Sequence, residues 1–400
     1  MIGLADVRAA HERLQGVVYR TPLVRSATFS QMAGMEVLLK LENLQKTGSF
    51  KVRGAFNKIV QLDGEARRRG VLAASAGNHA QGVALAARMC RLPCTVVMPE
   101  GAPITKVVAT RGYGAEVVQH GGGYDEAYGR AMELQAERGA TFVHAFDDPA
   151  VIAGQGTVGL EIAGELPEVD TVVAPVGGGG LLAGMALALK ELRPQVRVVG
   201  VQAAAVPAMY ASFREGQWRE VPGKATIADG IAVKRPGQLT LPLLLRYVDD
   251  MVLVEEQEIA GAILLLLERA KLVVEGAGAA ALAALLSGRL GRAGRTVAVV
   301  LSGGNIDVTT LSRIIERGLV ETGRYVRFRT LLLDKPGQLT RLLKIVADAG
   351  GNIIYVNHDR WGTQAPLGEV QVELALEARD GHHVAEILDS LARGGYEVQR

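Results

Sequence analysis

Nine short apolar segments, each followed by a stretch rich in Ala, Leu, Glu and Arg, constrain the fold of this chain more than any other feature. The segments are continuous apolar runs rather than alternating ones, which is typical of parallel strands buried on both faces. They are VLLKLE (Val37–Glu42), VLAAS (Val71–Ser75), CTVVMPE (Cys94–Glu100), AEVVQH (Ala115–His120), TFVHAF (Thr141–Phe146), TVVAPV (Thr171–Val176), VRVVGVQ (Val196–Gln202), MVLVEE (Met251–Glu256) and TVAVVLSGG (Thr296–Gly304). Strands that alternate with helices in this way predict an α/β fold with mostly parallel sheets.

The pattern changes near Gly323. The segments YVRFRTLLL (Tyr325–Leu333) and EVQVELALEA (Glu369–Ala378) alternate polar and apolar residues, as strands do when one face meets water or helices. A helix (QLTRLLKIVADAG) and a strand (NIIYVNHDR) lie between them, and a helix (HHVAEILDSLARGG) and a closing strand (YEVQR) follow. The order β-α-β-β-α-β predicts a ferredoxin-like unit. We therefore expect two domains, residues 1–322 and residues 323–400.

Charge and composition exclude several classes of protein. The 400 residues carry 44 Lys and Arg against 42 Asp and Glu, so no basic excess favours nucleic-acid binding. The two cysteines, Cys90 and Cys94, have no histidine nearby; they do not predict a zinc site, and they fit a reducing compartment. The charged N-terminus lacks the apolar core of a signal peptide, and no apolar run approaches the ~18 residues of a membrane span. We expect a cytoplasmic protein with neither a nucleic-acid nor a membrane partner.

A lysine and three glycine-rich turns are the candidate functional features. Lys51 lies in KTGSFKVRGA, a stretch without carboxylates, and a desolvated lysine suits Schiff-base chemistry. Taken alone, such a lysine is more often a solvated charge. The turn SAGNHAQG (Ser75–Gly82) follows a predicted strand and opens a helix, whose free N–H groups can hold a carboxylate. It could equally be a plain turn with a helix cap.

The second turn, VGGGGLLAG (Val176–Gly184), has four consecutive glycines, which make sense where backbone N–H groups wrap a phosphate. Gly178, Gly180 and Ala183 also match a relaxed dinucleotide-binding fingerprint. That fingerprint requires an acidic residue at the end of the next strand, which here ends in Gln202. A dehydrogenase is therefore disfavoured. A third turn, LSGGN (Leu301–Asn305), offers the neutral hydroxyl of Ser302.

The motifs KTGSFKVRGA, SAGNHAQG, VGGGGL, TIADGIAVKRPG, VEGAGA and LSGGN occur in one order between about Arg20 and Asn305. Together they resemble the fold-type II pyridoxal-phosphate (PLP) enzymes, and most closely the threonine ammonia-lyases, also called threonine dehydratases. The resemblance implies a tryptophan synthase β-like catalytic domain with two parallel-sheet lobes. It also implies β-elimination of L-threonine to 2-oxobutanoate and ammonia, or of serine to pyruvate.

The resemblance further implies a role for individual residues. Lys51 would form the Schiff base with PLP and move the Cα proton, and Phe50 would pack on the pyridine ring. Asn78 would bond the cofactor 3′-hydroxyl and Ser302 the pyridine nitrogen. The phosphate would lie on the backbone N–H groups of Gly177, Gly178, Gly179, Gly180 and Leu181. The substrate carboxylate would bind at Ser75, Ala76, Gly77, Asn78 and His79.

Departures from the wider family bear on the alternatives. Ala76 stands where related serine racemases carry a serine that donates the second-face proton, which argues against a racemase. The stretch QAAAVPAM (Gln202–Met209) lacks the acidic residues of metal-using relatives, so we predict no metal there. Asp229 and Glu275 lie in family motifs near the pocket, with their roles open. Asp229 could be a plain turn or cap residue, and Glu275 could act on the substrate side or be structural. A hydroxyaspartate dehydratase, a β-replacement synthase and a non-catalytic amino-acid-binding regulator remain alternatives.

The C-terminal segment LLLDKPGQLTRLL (Leu331–Leu343) resembles the start of an ACT domain, a small amino-acid-sensing module. The resemblance implies an effector site near the turn Asp334–Gly337, at an interface between two such domains. We expect a branched-chain amino acid as effector, with isoleucine inhibiting and valine opposing it, and a homo-oligomer, either a dimer or a tetramer. A plain oligomerisation module is the alternative.

Overall fold

Two parallel-stranded sheets form the first part of the chain, and the computed structural model describes residues 2–360 and 365–399. The strands are β1 (Leu23–Arg25), β2 (Glu36–Lys40), β3 (Val71–Ala74), β4 (Cys94–Met98), β5 (Glu116–Gln119), β6 (Thr141–Phe142), β7 (Thr171–Pro175), β8 (Arg197–Ala203), β9 (Asp250–Val254) and β10 (Thr296–Val300). The larger sheet has the order β1-β2-β10-β7-β8-β9 and the smaller one β5-β4-β3-β6. All pairs are parallel except β1 with β2. The predicted α/β fold is confirmed.

Helices cover both sheets. They are α1 (Leu4–Leu14), α2 (Ala27–Ala33), α3 (Lys51–Ile59), α4 (Gly64–Arg69), α5 (Asn78–Cys90), α6 (Ile104–Gly112), α7 (Tyr124–Arg138), α8 (Pro149–Glu165), α9 (Gly180–Leu192), α10 (Ala208–Glu215), α11 (Thr240–Tyr247), α12 (Glu256–Leu265) and α13 (Gly276–Leu286). Short 3₁₀ turns lie at Glu42–Leu44 and Asp229–Ile231, and a π-helical turn at Leu266–Ala270 extends α12. Each of the nine apolar segments contains one strand, as predicted.

Helix α3 is held against α8 by a close backbone approach. A Cβ atom on Gly54 would lie 2.7 Å from the Val151 carbonyl oxygen, and one on Gly154 would lie 2.5 Å from that of Arg53. Such spacings are below van der Waals contact, so only glycine fits at both positions. Because Lys51 is the first residue of α3, this packing fixes where its backbone lies.

A buried ion cluster also ties α3 to its neighbours. The Arg53 guanidinium donates to both carboxylate oxygens of Glu42, at 2.8 Å each, and to those of Glu161 at 2.6 and 3.0 Å. Lys40 Nζ lies 2.6 Å from the second oxygen of Glu161. All four side chains are at most 3% exposed. The cluster thus links β2, the turn after it, α3 and α8.

The second compact unit begins at Val308. It contains α14 (Val308–Glu321), β11 (Tyr325–Leu333), α15 (Gln338–Asp348), β12 (Asn352–Asp359), β13 (Glu369–Glu377) and α16 (Gly381–Arg393). The sequence placed the boundary after residue 322, whereas chain contacts divide the protein into Met1–Asp307 and Val308–Arg400. The difference is α14, which packs on β11.

The sheet of the second unit is antiparallel, in the order β11-β13-β12. Alternate β11 residues are buried with α15 and α16 in one apolar core, which includes Phe328, Leu342 and Ile387. The closing strand predicted at YEVQR is reduced to one antiparallel bridge from Gln399 to Arg329, and Arg400 lies outside the described residues. This bridge falls on the free edge of β11, where a ferredoxin-like unit has its last strand.

Candidate active site

A cavity of about 980 Å³ lies at the carboxyl ends of β3, β6, β7 and β10. Loops after parallel strands are where α/β proteins bind ligands. All thirteen site residues predicted from the sequence line this cavity: Phe50, Lys51, Ser75, Ala76, Gly77, Asn78, His79, Gly177, Gly178, Gly179, Gly180, Leu181 and Ser302. Segments as distant in the chain as Phe50 and Ser302 therefore meet around one space.

Lys51 begins α3 and lines the cavity. Its Nζ donates to the carbonyl oxygen of Ala145 at 3.0 Å and lies 5.1 Å from the centre of the Phe50 ring. Desolvation lowers the pKa of Lys51 to about 8, against the opposing effect of the Glu275 carboxylate. A sizeable neutral fraction near pH 8 makes this amine a usable nucleophile and base.

The backbone around Lys51 is tied to the turn after β10. The Phe50 N–H donates to the carbonyl oxygen of Ser302 at 3.2 Å, and Ser49 forms an isolated bridge with Gly303. Ser302 itself is only 3% exposed and lines the cavity. These backbone contacts fix the position of Lys51 relative to the Ser302 hydroxyl.

The tetraglycine turn leads from β7 into α9. Gly179 has a φ of +98°, a left-handed conformation that favours glycine. A Cβ on Gly178 would overlap the Phe146 ring, and one on Gly180 would lie 2.8 Å from the Gln155 side-chain oxygen. No side chain caps the N-terminus of α9. Its first N–H groups are therefore free to bind an anion from the cavity.

The turn between β3 and α5 has a similar open helix N-terminus. Gly77 is the cap residue of α5 and offers no side chain, while the Ser75 hydroxyl accepts the Gly77 N–H at 3.1 Å. Ala76 lines the cavity without any exchangeable proton. The turn can hold a carboxylate with N–H groups.

His79 is buried and neutral. Its Nε2 lies 2.8 Å from the carbonyl oxygen of Val143, which can only accept, so Nε2 carries the proton. The other nitrogen, Nδ1, is buried without a partner. Burial and the nearby Lys51 charge lower the pKa of His79 to about 3, which excludes it as a proton carrier at neutral pH.

Glu275 is the second titratable group on the cavity wall. It is 5% exposed, and burial followed by repulsion from Asp229 raises its pKa to about 7. Its Oε1 accepts a hydrogen bond from Asn78 Nδ2 at 2.6 Å. Nearer the mouth, Lys106 forms an ion pair with Asp229 at 2.9 Å. The sequence motifs placed Glu275 and Asp229 near the pocket, where both line the cavity, and left their roles open.

Two residues escaped the sequence analysis: His144, which lines the cavity, and Gln155, which lies beside Gly180. The sequence placed His144 in a strand, whereas β6 ends at Phe142. His144 Nδ1 accepts hydrogen bonds from the backbone N–H groups of Phe146 and Asp147, at 3.3 and 2.8 Å. Gln155 is buried with neither amide atom hydrogen-bonded. A histidine in an apolar run and a glutamine inside a helix carry no sequence signal of a site.

Two further findings concern residues 2–360 and 365–399. Their His, Cys, Asp and Glu side chains form no group of three or more that could hold a metal ion. None of their helices has the length and apolar character required to cross a membrane.

The residues present fit pyridoxal phosphate. The uncapped α9 N-terminus and its glycines can receive the phosphate, and the unpartnered Gln155 amide lies beside Gly180. A partly neutral Lys51 amine can take the aldehyde carbon, and the buried Ser302 hydroxyl can face the ring nitrogen. These groups therefore match three features of PLP: its anionic phosphate ester, its electrophilic aldehyde carbon and its basic ring nitrogen.

Comparison with known proteins agrees with this site. The family described as "Pyridoxal-phosphate dependent enzyme" matches residues 14–303. The L-threonine ammonia-lyase of Thermotoga maritima is 54% identical over 399 residues, covering 100% of this chain and 99% of that protein. A solved threonine deaminase from T.th. is 44% identical, with a TM-score of 0.73, over 76% of this chain and 99% of that one. Maize serine racemase is 34% identical, with a TM-score of 0.76, over 80% and 98%. The chain belongs to the pyridoxal-phosphate-dependent enzymes, in the branch with the type II fold.

Proposed function

We propose that this protein is a threonine ammonia-lyase that converts L-threonine to 2-oxobutanoate and ammonia and accepts L-serine less well. The observation that carries the proposal is the convergence of Lys51, the SAGNH turn, the tetraglycine turn and Ser302 on one cavity. The full-length likeness to a protein named L-threonine ammonia-lyase supports this choice among the reactions possible on the fold.

The cavity would divide into a cofactor side and a substrate side. Backbone N–H groups from Gly177 to Leu181 would hold the phosphate of PLP, with the α9 dipole adding to the attraction. Asn78 and Ser302 would bond the ring oxygen and ring nitrogen, and Phe50 would pack on the ring. The open N-terminus of α5, from Ser75 to His79, would bind the substrate carboxylate.

The elimination removes the Cα proton and the β-hydroxyl, which takes up a proton and leaves as water; the Cα proton is the one that the protein itself would accept. Bound PLP supplies an electron sink that acidifies the Cα–H bond of the amino acid. Lys51 Nζ would accept this proton, because its lowered pKa leaves part of the amine neutral near pH 8. Ser302 would favour elimination, since a neutral hydroxyl leaves the ring nitrogen unprotonated where a carboxylate would not. Ala76 leaves the opposite face of Cα without a protic side chain, so reprotonation there is disfavoured.

Serine racemase is the alternative with a specific observation in its favour, namely the fold shared with the maize enzyme. Fold likeness does not distinguish the two reactions, because one scaffold hosts both. Ala76 favours the lyase.

A 2-oxo-acid assay across L-threonine, L-serine and 3-hydroxyaspartate tests the proposal. We expect the highest kcat/KM with threonine, although one methyl group provides only about 1–3 kcal/mol of discrimination. Borohydride reduction should attach the cofactor to the peptide that carries Lys51, and Lys51→Ala should lose both label and product. Label on a different lysine, or product from hydroxyaspartate alone, would contradict the assignment.

We also propose that the second unit is an ACT-like regulatory domain, with a branched-chain amino acid as effector. The support is the DKPG turn, in which the Asp334 N–H donates to the Gly368 carbonyl oxygen and the Asp334 carboxylate pairs with Arg360 at 2.8 Å. Isoleucine would inhibit, valine would oppose it, and the enzyme would supply isoleucine synthesis as a cytoplasmic homo-oligomer. Coupling of ~1–3 kcal/mol is typical of such control.

Calorimetry of the full-length protein with isoleucine or valine tests the regulatory part, alongside threonine kinetics with each ligand. We expect isoleucine to bind and to raise the threonine concentration at half-maximal rate. If neither ligand binds or changes the kinetics, the proposed effector role of the second unit is refuted. The lyase assignment is tested separately, by the 2-oxo-acid assay.

A further inference from the structure

The side chain of Asn78 is held at both ends by a chain of hydrogen bonds. Its Nδ2 donates to Glu275 Oε1 at 2.6 Å, and its Oδ1 accepts from Asn305 Nδ2 at 2.8 Å. Asn305 Nδ2 also donates to the backbone carbonyl oxygen of Thr47 at 2.7 Å. The chain therefore runs from the backbone near Lys51, through two amides, to the buried carboxylate of Glu275.

The chemistry of its two ends fixes the direction of every bond in this chain. A backbone carbonyl only accepts, so the Asn305 nitrogen must face Thr47, and the same nitrogen then faces the Asn78 oxygen. An ionised carboxylate also only accepts, so the Asn78 nitrogen must face Glu275. An amide nitrogen has two hydrogens, and one of them remains for the cavity.

We propose that Glu275 is a positioning residue that keeps the Asn78 nitrogen, rather than its oxygen, presented to the ring oxygen of the cofactor. The proposal rests on the proposed role of Asn78 and deepens it. Asn305 holds the Asn78 oxygen with one hydrogen bond, and Glu275 holds the nitrogen with a second. Without an acceptor at position 275, only the Asn305 bond opposes a rotation of the amide by about 180°, since its nitrogen and oxygen ends have nearly the same shape.

The surroundings of Glu275 are shaped for this contact. Glu275 is the cap residue of α13, yet its side chain makes no capping bond to that helix. Its carboxylate turns instead toward Asn78, into space that exists because residue 303 is glycine. A Cβ at Gly303 would overlap Glu275 Oε1. The Glu275 N–H also donates to the Gly303 carbonyl oxygen at 3.1 Å, which anchors the turn.

The charge on Glu275 makes this positioning dependent on pH. Burial and Asp229 raise the pKa of Glu275 to about 7, while the Asn78 bond, Lys106 and Lys51 act in the opposite direction. Below that pKa the carboxyl group carries a proton and can donate, so the Asn78 oxygen becomes an equally good partner. In acid the orientation of the amide is therefore held by the Asn305 bond alone, and the preference for it is weaker.

The test is a double-mutant cycle on cofactor affinity, measured by titrating cofactor-free enzyme with PLP. We expect Glu275→Gln to weaken PLP binding about tenfold, the order of one hydrogen bond. In the Asn78→Ala background the same change should have a much smaller effect, because Glu275 acts on the ring oxygen through Asn78 and only its electrostatic effect on Lys51 remains. The visible absorbance band of the bound cofactor should shift in Glu275→Gln and lose its dependence on pH near 7.

The matched control is Asp229→Asn, which removes a carboxylate from the same cavity without a bond to Asn78. It should keep PLP affinity within about twofold and move the pH dependence of the band to lower pH, because Asp229 is one cause of the raised pKa of Glu275. If Glu275→Gln does not fold, Glu275→Asp keeps the charge, shortens the reach and should give the same loss of affinity.

Additive effects of the two substitutions would overturn the proposal, as would wild-type affinity in Glu275→Gln or in Asn78→Ala. The wild-type protein could bind PLP on Lys51 and give the expected double-mutant cycle, yet make no 2-oxobutanoate. That result would refute the lyase assignment but not the positioning role of Glu275.

Discussion

The buried ion cluster under the active-site helix allows a quantitative prediction. Its members are Arg53 and Lys40, with two positive charges, and Glu42 and Glu161, with two negative ones, so it is neutral as a whole. We consider Arg53→Met, which keeps the approximate length of the side chain and removes its charge. The cluster then carries a net charge of −1 in the interior.

The expected cost follows from the partners left behind. Arg53 makes four hydrogen bonds to the two carboxylates and one to Thr157. The pKa of Arg53 is raised, because the electrostatic attraction and hydrogen bonds of those carboxylates outweigh desolvation. Glu161 keeps Lys40, whereas within the part of the chain that the structure describes Glu42 retains only the Thr21 hydroxyl. Removing one partner of a buried ion pair costs about 3–5 kcal/mol. We expect the first unit to lose stability by that amount.

Thermal unfolding of cofactor-free protein, followed by circular dichroism, measures the effect. At roughly 2 °C per kcal/mol for a unit of this size, the transition should fall by about 6–10 °C. The control is the double variant Arg53→Met/Glu42→Gln, which restores neutrality and should recover at least half of the loss. If the double variant unfolds at the same temperature as the single variant, the electrostatic reasoning is refuted, and the loss of stability comes from altered packing.

Three other predictions follow from cavity residues. Gly178→Ala should abolish tight PLP binding in a fluorescence titration, because its Cβ would overlap the Phe146 ring. Affinity equal to that of the wild type would contradict phosphate binding by the tetraglycine turn. Ala76→Ser should raise the yield of D-serine from L-serine, measured by chiral chromatography, and an unchanged yield would remove the argument from that position. Glu275 stabilises the folded state below its unfolded pKa of 4.5, and this contribution is lost as pH rises through about 7. Glu275→Gln, which is neutral at every pH, should therefore gain stability relative to the wild type between pH 5 and pH 8, in thermal unfolding of the cofactor-free protein.

The sequence was sufficient for the strands of the sheet interiors and insufficient for those at the margins. Segments such as Thr171–Val176 are apolar throughout, because parallel strands are buried on both faces. Strand β1 (Leu23–Arg25) was missed, since three partly exposed residues at a sheet edge have no such pattern. Strand β6 was predicted too long, because His144 bonds the backbone of the following turn and ends the strand early.

The position of the site was predictable for a different reason. The three glycine-rich turns each follow a strand, and the carboxyl ends of parallel strands share one edge, so Ser75, Gly177 and Ser302 had to lie near each other once the sheets formed. The motif residues therefore needed only local order and a common topology. The same logic could not distinguish residues that contact ligands from residues that hold them in place.

The supporting residues were invisible because their partners lie far away in the chain. Arg53 and Glu161 are 108 positions apart, and Asn78 and Glu275 are 197 apart. A charged residue in a sequence is normally a solvated one, and nothing local marks the exceptions, since desolvation is a property of the assembled core. The lowered pKa of Lys51 arises in the same way, from burial that no neighbouring residue specifies. In this protein the residues of the candidate site can therefore be located from motifs, whereas their protonation and orientation are decided by side chains that only the folded chain brings into contact.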